Sequence, residues 1–204
     1  VDERCEIIPA HVWTPWYGVY GSKSGFDSLE EAFGEYAGRI HAIETGLSSD
    51  PEMNWALPEV ANRALVSFSD AHSAANVGRE VTVFEMEPTY NGLMDAIATQ
   101  SIAETIEFFP ENGKYHLDGH RSCGVRLTPA ESAELAGKCP TCGKSLTLGV
   151  LNRIESLSAN AKSSRIDDDG LVQAPGNRPP FRRLVPLQDL VAAVEAVGKN
   201  TKTV

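Results

Sequence analysis

Two groups of side chains in the 204-residue sequence have the types and spacing of metal ligands. The first group joins His120 and Cys123, spaced as H-x2-C, to Cys139 and Cys142, spaced as C-x2-C, and Gly143 follows the last cysteine. A two-residue spacer lets both side chains of a pair reach one ion from a tight turn, and glycine permits the backbone angles of that turn. The pattern predicts a tetrahedral Cys3His zinc site with a structural role.

The zinc interpretation leaves two alternatives open. A C-x-x-C pair can also be a redox site or a pair of free thiols, although neither needs a second ligand pair nearby. His116 or Asp118 could replace His120 as the fourth ligand, and we prefer His120 for its spacing from Cys123. Three of the four cysteines fall within 20 residues, which in a cytosolic chain favours metal binding over disulfides.

The second group has the composition of a hydrolytic metal centre. Asp70 and His72, spaced as D-x-H, share one face of an extended segment, and His11 and Glu44 also follow apolar segments. Such ligands suit Zn²⁺, Mn²⁺ or Fe²⁺ and can activate water for attack on a phosphoester. We therefore predict His11, Asp70 and His72 as catalytic metal ligands, and Glu44 as a ligand or as a residue that orients one. Taken alone, D-x-H is a weak pattern, because such residues are more often caps or hydrogen-bond partners.

Further residues are predicted to contact a substrate. The loop 13–26 (WTPWYGVYGSKSGF) combines aromatic residues with Ser22, Lys23 and Ser24. Such loops can stack a nucleic-acid base and contact phosphates, and the alternative is a loop packed by its own aromatic side chains. Arg79 is a further predicted phosphate contact, with a salt bridge as the other interpretation.

The elements that must position these residues alternate between strand and helix. The apolar pattern predicts strands over 6–10, 40–45, 64–69, 81–84 and 105–109. It predicts helices that begin at Asp27 or Ser28, over 54–64 with a break at Pro58, and over 92–99. This order indicates a parallel α/β architecture, in which the chemistry lies at the C-terminal ends of the strands. Four or five strands are too few to close a barrel.

From about residue 111 the composition changes, because Gly, Lys, His and Cys replace the apolar strands. Helices are predicted over 128–136, with Pro129 at the first position, over 149–158 and over 187–197. The segment 159–180 is rich in Asp, Gly and Pro and is predicted to be a linker.

The charge is divided unevenly along the chain. Residues 1–110 carry 5 Lys or Arg and 18 Asp or Glu, whereas residues 111–204 carry 13 and 10, for a net charge of −10. An acidic first half suits a domain whose carboxylates are offset by bound cations, and a mildly basic second half could face a polyanion. The alternative is that both halves simply have solvated surfaces. No run of residues is apolar enough for a membrane span or a signal peptide, so the predicted location is cytoplasmic and no membrane partner is expected.

Beyond these patterns, long strings of the sequence resemble one protein family over about residues 5–204. The segments are IIPAHVWTPWYGVYGSKSGFDSLEE, HAIETGLSSDPEMNW, VSFSDAHSAANVGRE, TIEFFPENGKYHLDGHRSCGV and CPTCGKSLTLGV. They resemble endonuclease Q, a branch of the PHP (polymerase and histidinol phosphatase) superfamily. The resemblance implies a distorted (β/α)7 barrel with a two- or three-metal centre, followed by a zinc-binding domain and a C-terminal domain. It also implies cleavage of DNA on the 5′ side of uracil, hypoxanthine, xanthine or an abasic site.

The resemblance assigns roles by position. His11 matches the family's lone metal histidine, and Asp70 and His72 match its terminal D-x-H. His120, Cys123, Cys139 and Cys142 fall in its zinc module. The resemblance thus implies structural zinc, with zinc, manganese or magnesium at the catalytic centre.

The chain departs from the family in lacking the H-x-H motif of the first barrel strand. We therefore expect a central fragment. Its parts would be the C-terminal half of a PHP-type barrel (1–110), a zinc-binding domain (111–158), a linker (159–180) and the start of a C-terminal domain (181–204).

The predicted function is a metal-dependent DNA repair endonuclease, with DNA containing damaged bases as the partner. One alternative is a PHP-type phosphatase acting on a small phosphoester, which needs no zinc module. The other is a non-catalytic DNA-binding module that has lost part of its barrel. The sequence does not identify a replication-clamp partner.

Overall fold

Glu44, Asp70 and His72, three of the residues predicted to bind a catalytic ion, lie at or shortly after the ends of two short parallel strands. The computed structural model describes residues 5–158, 164–198 and 201. Strand β1 (Ala42–Glu44) pairs in parallel with β2 (Ala64–Val66). All of β1 is buried, as expected for a parallel strand that is covered on both faces. The predictions of strands near 40–45 and 64–69 and of their parallel pairing are confirmed.

Short capped helices connect these strands. Helix α1 (Leu29–Phe33) begins after Ser28, whose side chain accepts a hydrogen bond from the Glu31 amide, and a 3₁₀ helix (Gly34–Arg39) follows it. Helix α2 (Pro51–Trp55) begins earlier than predicted, because the Asp50 side chain caps it and Pro51 occupies its first turn. Pro58 then starts a separate 3₁₀ helix (Pro58–Val60), in agreement with the predicted break.

The larger sheet mixes parallel and antiparallel pairs. Strands β3 (Val81–Phe84) and β4 (Ile102–Glu107) are antiparallel although helix α3 (Tyr90–Thr99) lies between them, so the prediction of a wholly parallel sheet is wrong. Apolar periodicity marks a strand but carries no information on its direction. On its other side β4 pairs in parallel with β9 (Phe181–Arg183).

The range predicted to be a linker contributes two strands to the same sheet. β7 (Arg165–Ile166) pairs with β8 (Leu171–Gln173), and β8 pairs with β9, which gives the order β3-β4-β9-β8-β7. The Asp167 carboxylate accepts hydrogen bonds from the Asp169 and Leu171 amides and so organises the turn between β7 and β8. The polar, glycine-rich composition therefore marked a hairpin turn. Residues 159–163 of the predicted linker lie outside the described residues.

The predicted strand over 6–10 does not form. The chain there still runs beside β1, since the Glu44 amide donates to the Pro9 carbonyl and the Val12 amide donates to the Glu44 carbonyl. Pro9 has no amide hydrogen to continue a ladder. The result is an extended segment that leads directly to His11.

The zinc-ligand sequence folds into a small module. A hairpin of β5 (Asp118–His120) and β6 (Val125–Leu127) is followed by α4 (Pro129–Glu134) and α5 (Val150–Leu157). Helix α4 carries a capping box in which the Thr128 side chain and the Glu131 side chain each bond the other's backbone amide. The last helix, α6 (Leu187–Val194), follows β9.

The apolar cores lie on both sides of the parallel strands. One cluster joins Val12, Trp13 and Tyr20 to Ile43 and to Val150 and Ile154 of α5, and a second packs α3 against β2. The predicted α/β class is confirmed, and the described strands form three sheets that do not close into a barrel. No described helix is long and apolar enough to cross a membrane.

Substitution of Phe181 tests whether β9 packs into the apolar core. Its side chain is fully buried with Trp55 and Val172, and its ring centroid lies 5.6 Å from that of Trp55. We expect Phe181→Ala to lower the free energy of unfolding by about 3–5 kcal/mol, measured by urea denaturation followed by tryptophan fluorescence. The exposed Ile166 of β7 provides the control, and Ile166→Ala should change stability by less than about 0.5 kcal/mol. Equal stability of the two variants would contradict the packing of β9.

Candidate catalytic and metal centres

His11 lies between two carboxylates that come from the ends of different strands. Its Nδ1 is 3.0 Å from Oε2 of Glu44, in an ion-pair contact, and its Nε2 is 3.2 Å from Oδ2 of Asp70. The backbone amide of His11 also donates to Oε2 of Glu44 over 2.7 Å. Glu44 ends β1, and Asp70 follows β2 by four residues. The structure thus brings together three of the four residues predicted for the catalytic centre.

The backbone at this centre adopts left-handed conformations. His11 has φ 47° and Asp70 has φ 44°, values that residues other than glycine rarely adopt. Gly46, with φ 64°, allows the His11 ring to approach closely, since a Cβ at that position would lie 2.5 Å from Nδ1 of His11. The Glu44-Thr45-Gly46 segment therefore supplies both a carboxylate and the space for the imidazole.

The electrostatic surroundings favour a charged imidazole at His11. The contact with Glu44 raises its pKa to about 9 against the opposing effect of burial, and Asp70 adds to the increase. An imidazole must be neutral to bind a metal ion through nitrogen. One imidazole and two carboxylates are donor types that Zn²⁺, Mn²⁺ or Mg²⁺ accepts. The carboxylates contact opposite nitrogens of the ring, so the three donors do not converge on one point.

His72 and Arg79 organise the D-x-H segment itself. The His72 side chain is 84% exposed and turns back on Asp70, with its Nδ1 2.9 Å from the Asp70 backbone carbonyl. Nε of Arg79 donates to the Ser69 carbonyl, and its Nη2 reaches the Asp70 carbonyl at 3.5 Å. Two of the Arg79 donor nitrogens are thus engaged by the Ser69 and Asp70 carbonyls, so this guanidinium holds the backbone of that segment in place.

Two buried acids near this centre were missed from the sequence. The Glu107 carboxylate accepts hydrogen bonds from the hydroxyls of Thr45, Ser67 and Thr105, and it thereby links the ends of β1, β2 and β4. Burial raises the pKa of Glu107 to about 8 and that of Glu80 to about 7. Acidic residues inside otherwise apolar strand segments were the available signal, because a buried carboxylate needs partners.

Of the three loop residues predicted to contact a substrate, two have side chains already engaged in hydrogen bonds within the protein. The Ser22 hydroxyl donates to the Leu148 carbonyl over 2.7 Å, and the Ser24 hydroxyl accepts from the Tyr17 amide over 2.8 Å. Lys23 is exposed. The two serines therefore shape the loop, and Lys23 is the member of the trio placed to meet a ligand.

The aromatic residues of the loop divide into two sets. Trp13 and Tyr20 are buried, with ring centroids 4.8 Å apart, and Nε1 of Trp13 donates to Oδ1 of Asn54. For this pair the alternative of a loop packed by its own aromatics describes the structure. Trp16 and Tyr17, in contrast, are 43% and 97% exposed. These two rings are available for contact with another molecule.

Two neighbouring cavities, together called the groove, lie between His11 and the zinc module. The part next to His11 has a volume of about 310 Å³, and the part between the loop and the module has about 380 Å³. Lys114 and Tyr115 line both parts, and the Tyr115 ring meets Trp16 edge-on at 5.9 Å. Arg121 and Arg126 line the second part. The groove is therefore basic and aromatic at the end away from His11.

The predicted zinc ligands form a single cluster. The ligand atoms of His120, Cys123, Cys139 and Cys142 all lie within 4.8 Å of one another, and Sγ of Cys142 is 3.5 Å from Nδ1 of His120. Bonds of the usual Zn–S length place tetrahedral ligand atoms about 3.8 Å apart. The donor set and its dimensions fit a zinc ion, and the redox alternative does not account for the imidazole among three sulfurs.

The two other candidates for the fourth ligand have different surroundings. The Asp118 carboxylate is buried and accepts from the Gly149 amide over 2.6 Å and from Nδ2 of Asn152 over 2.7 Å, which caps the start of α5. His116 is buried, and burial lowers its pKa. The arrangement therefore favours His120 as the fourth ligand.

The backbone around Cys139 prepares its sulfur for metal binding. Burial opposes ionisation of the thiol, but the amides of Cys142 and Thr141 donate to the sulfur, and the net effect lowers the pKa to about 6. Gly143, with φ 70°, lets the turn close, and its amide donates to the Cys139 carbonyl. A thiolate is the form of cysteine that binds zinc.

Comparison with known proteins identifies relatives of the whole chain. It is 32% identical over 200 residues to an uncharacterized protein of Methanocaldococcus jannaschii and 33% identical over 200 residues to the uncharacterized protein YqxK of Bacillus subtilis. These matches cover 94% and 96% of this chain but 23% and 46% of the respective relatives. No family model matches the chain.

Two solved structures share the fold. One is the lesion-specific endonuclease PfuEndoQ from Pyrococcus furiosus, with a TM-score of 0.78. The other is an endonuclease Q complex with a 27-mer duplex substrate that has an abasic lesion at the active site, with a TM-score of 0.80. Both are 32% identical, and each match covers 97% of this chain and 47% of the solved chain. The chain thus spans about half the length of these proteins.

Removal of the ion tests the structural role of the zinc site. The hairpin of β5 and β6 has three residues in each strand and is too short to be stable by itself. We expect a strong chelator to unfold much of residues 114–158, measured as a loss of far-ultraviolet circular dichroism after metal analysis has verified zinc removal. An unchanged spectrum after verified removal would contradict a structural site.

Two substitutions test whether His120 is the fourth ligand and Asp118 the cap of α5. His120→Ala should lower zinc content below one ion per chain after dialysis against a weak chelator, because three ligands remain. Asp118→Asn should keep the ion but lower the unfolding free energy by about 1 kcal/mol through the weakened cap. Full zinc content in the His120 variant together with loss in the Asp118 variant would reverse the assignment.

Proposed function

We propose that the chain forms part of a metal-dependent DNA repair endonuclease of the endonuclease Q type, because two solved endonuclease Q structures are 32% identical to it over 97% of its length. The enzyme would cut the phosphodiester on the 5′ side of a deaminated base (uracil, hypoxanthine or xanthine) or an abasic site. The observation that carries the proposal is His11, which Glu44 and Asp70 hold at one end of a groove whose other end is basic and aromatic. The abasic-lesion complex among the structural neighbours supports DNA as the substrate.

In this proposal the ends of β1 and β2 form part of the catalytic centre. His11, Asp70, His72 and Glu44 would hold divalent ions (zinc, manganese or magnesium), which supply Lewis-acid stabilisation and an activated water when bound. Arg79 fixes the backbone of Asp70, and Glu107 fixes the strand ends through Thr45 and Ser67. Both contacts would keep the ligand atoms in place while the phosphate is attacked.

The groove offers different surfaces for the parts of a nucleotide. The edge-on pair of Trp16 and Tyr115 would stack a base turned out of the duplex. Lys114, Arg121 and Arg126 would meet phosphates on either side of that base. Lys114 and Tyr115 border both parts of the groove, so a strand whose base met the aromatic pair would continue toward His11.

We propose that the barrel part and the zinc-binding domain each form one side of this site. Residues 1–110 would be the C-terminal part of a PHP barrel, and residues 111–158 a zinc-binding domain. Strand pairing of β9 with β4 attaches residues 181–183 to the first unit. The zinc-binding domain would supply the basic wall of the groove, and the barrel part would supply the metal ligands.

An incision assay tests the proposal. The gene product that contains these 204 residues should cut a uracil-containing or abasic duplex in the presence of Mn²⁺. Asp70→Asn should lower kcat by about 100-fold or more, because it removes a metal-ligand charge. The exposed Asp95 of α3 is the matched control, and Asp95→Asn should leave kcat unchanged.

Substrate controls distinguish the alternatives. An undamaged duplex of the same sequence should remain intact. Incision of both duplexes at equal rates would contradict lesion specificity, and hydrolysis of a phosphomonoester without DNA cleavage would favour the phosphatase. DNA binding without any incision would favour a non-catalytic module.

A further inference from the structure

Arg153 of the zinc module joins the two ends of a short segment of the aromatic loop. Its Nε donates to the Tyr20 carbonyl over 2.8 Å, and its Nη2 donates to the Phe26 carbonyl over 2.9 Å. Nη2 also lies 2.5 Å from Oδ1 of Asp27. The Arg153 side chain is 17% exposed, whereas that of Asp27 is 69% exposed. The two carbonyl contacts are therefore the persistent ones, because an exposed ion pair contributes little.

The segment between these two carbonyls has little conformational choice. The Gly25 amide donates to the Gly21 carbonyl, and the Phe26 amide donates to the Val19 carbonyl. A Cβ on Gly21 would lie 2.3 Å from the Thr14 carbonyl oxygen, and one on Gly25 would lie 2.2 Å from the Gly21 nitrogen. The backbone of the turn therefore packs so closely that neither glycine could carry a side chain.

The zinc module also contacts the middle of this segment. The Ser22 hydroxyl donates to the Leu148 carbonyl, and Leu148 lines the groove. The Lys23 amide donates to the carbonyl of Pro15, which lines the same groove. The backbone of Lys23 is therefore fixed at the rim of the groove, while its side chain is exposed.

We propose that Arg153 is a positioning residue, which holds the segment 20–26 so that Lys23 meets a DNA phosphate at the rim of the groove. Three features of the structure support this role: both ends of the segment bond one guanidinium, its middle bonds the same module, and its exposed member is a cation. A lysine on a loose loop would have to be ordered on binding, and the resulting entropy cost would weaken the contact. The DNA part of this inference rests on the proposed function.

Proteolysis measures the positioning without reference to DNA. Endoproteinase Lys-C cuts after lysine, so the Lys23–Ser24 bond reports opening of the segment, and mass spectrometry identifies the fragment. We expect Arg153→Gln in the 204-residue chain to raise the rate of this cleavage at least tenfold, with zinc content unchanged. Arg165→Gln, at an exposed arginine of β7, is the matched control and should leave the rate unchanged.

A second variant keeps the test valid if Arg153→Gln fails to fold. Ser22→Ala leaves α5 intact and removes the contact with Leu148, so it should raise the cleavage rate in the same direction by a smaller factor. Thermal unfolding of each variant separates local opening from global loss of structure. Unchanged cleavage at Lys23 in both folded variants would overturn the proposed role.

Binding to an abasic duplex, measured by fluorescence anisotropy, tests whether Arg153 acts through Lys23. Lys23→Gln and Arg153→Gln should each raise Kd severalfold, and the double variant should bind no more weakly than Lys23→Gln. Additive losses, or faster cleavage without a change in Kd, would overturn the link to DNA binding. A wild-type chain without affinity for the duplex would count against the proposed function, whereas the proteolysis result would still decide the role of Arg153 in the loop.

Discussion

The contact between Glu44 and His11 determines how the first part of the chain is arranged. One carboxylate oxygen meets both the amide and the imidazole of His11, which joins the end of β1 to the start of the aromatic loop. The other imidazole nitrogen then faces Asp70, so the end of β2 is included as well. The left-handed backbone of His11 and Asp70 is unfavourable in isolation, and these contacts are what maintain it. Three segments that are distant in sequence therefore meet at one imidazole.

The two candidate metal centres depend on each other through the loop that separates them. The loop begins at His11 and returns to the zinc module, where Ser22 and Arg153 bind its middle and its ends. Val150 and Ile154 of α5 also share an apolar core with Val12. A metal ion that keeps α5 in place would thus have an indirect effect on the geometry of the groove. This dependence would give a physical reason for a metal-binding module beside the proposed catalytic centre.

Local patterns allowed the cluster of His120 and three cysteines to be predicted, whereas contacts between distant parts of the chain left no comparable signal in the sequence. The pairs H-x2-C and C-x2-C lie on tight turns, so their spacing constrains the geometry directly. His11, Glu44 and Asp70 were predicted to lie together because each follows an apolar segment, and parallel strands bring their C-terminal ends together. Arg153 acts more than 120 positions away from its partners in sequence, and nothing near it marks this role. The prediction of a strand over 6–10 was wrong because it relied on the apolar residues and did not take into account that Pro9 has no amide hydrogen to donate.

The uneven charge of the chain has a structural consequence at this site. Several of the acids in the first half are not on the surface: Glu44, Glu80 and Glu107 are all at most 5% exposed. Hydroxyl donors compensate Glu107, while Oε2 of Glu80 has no partner among the described residues. Burying such groups together is costly unless positive charge lies close by. Divalent ions held by His11, Glu44 and Asp70 would supply that charge, so the buried acids and the proposed metal centre favour each other.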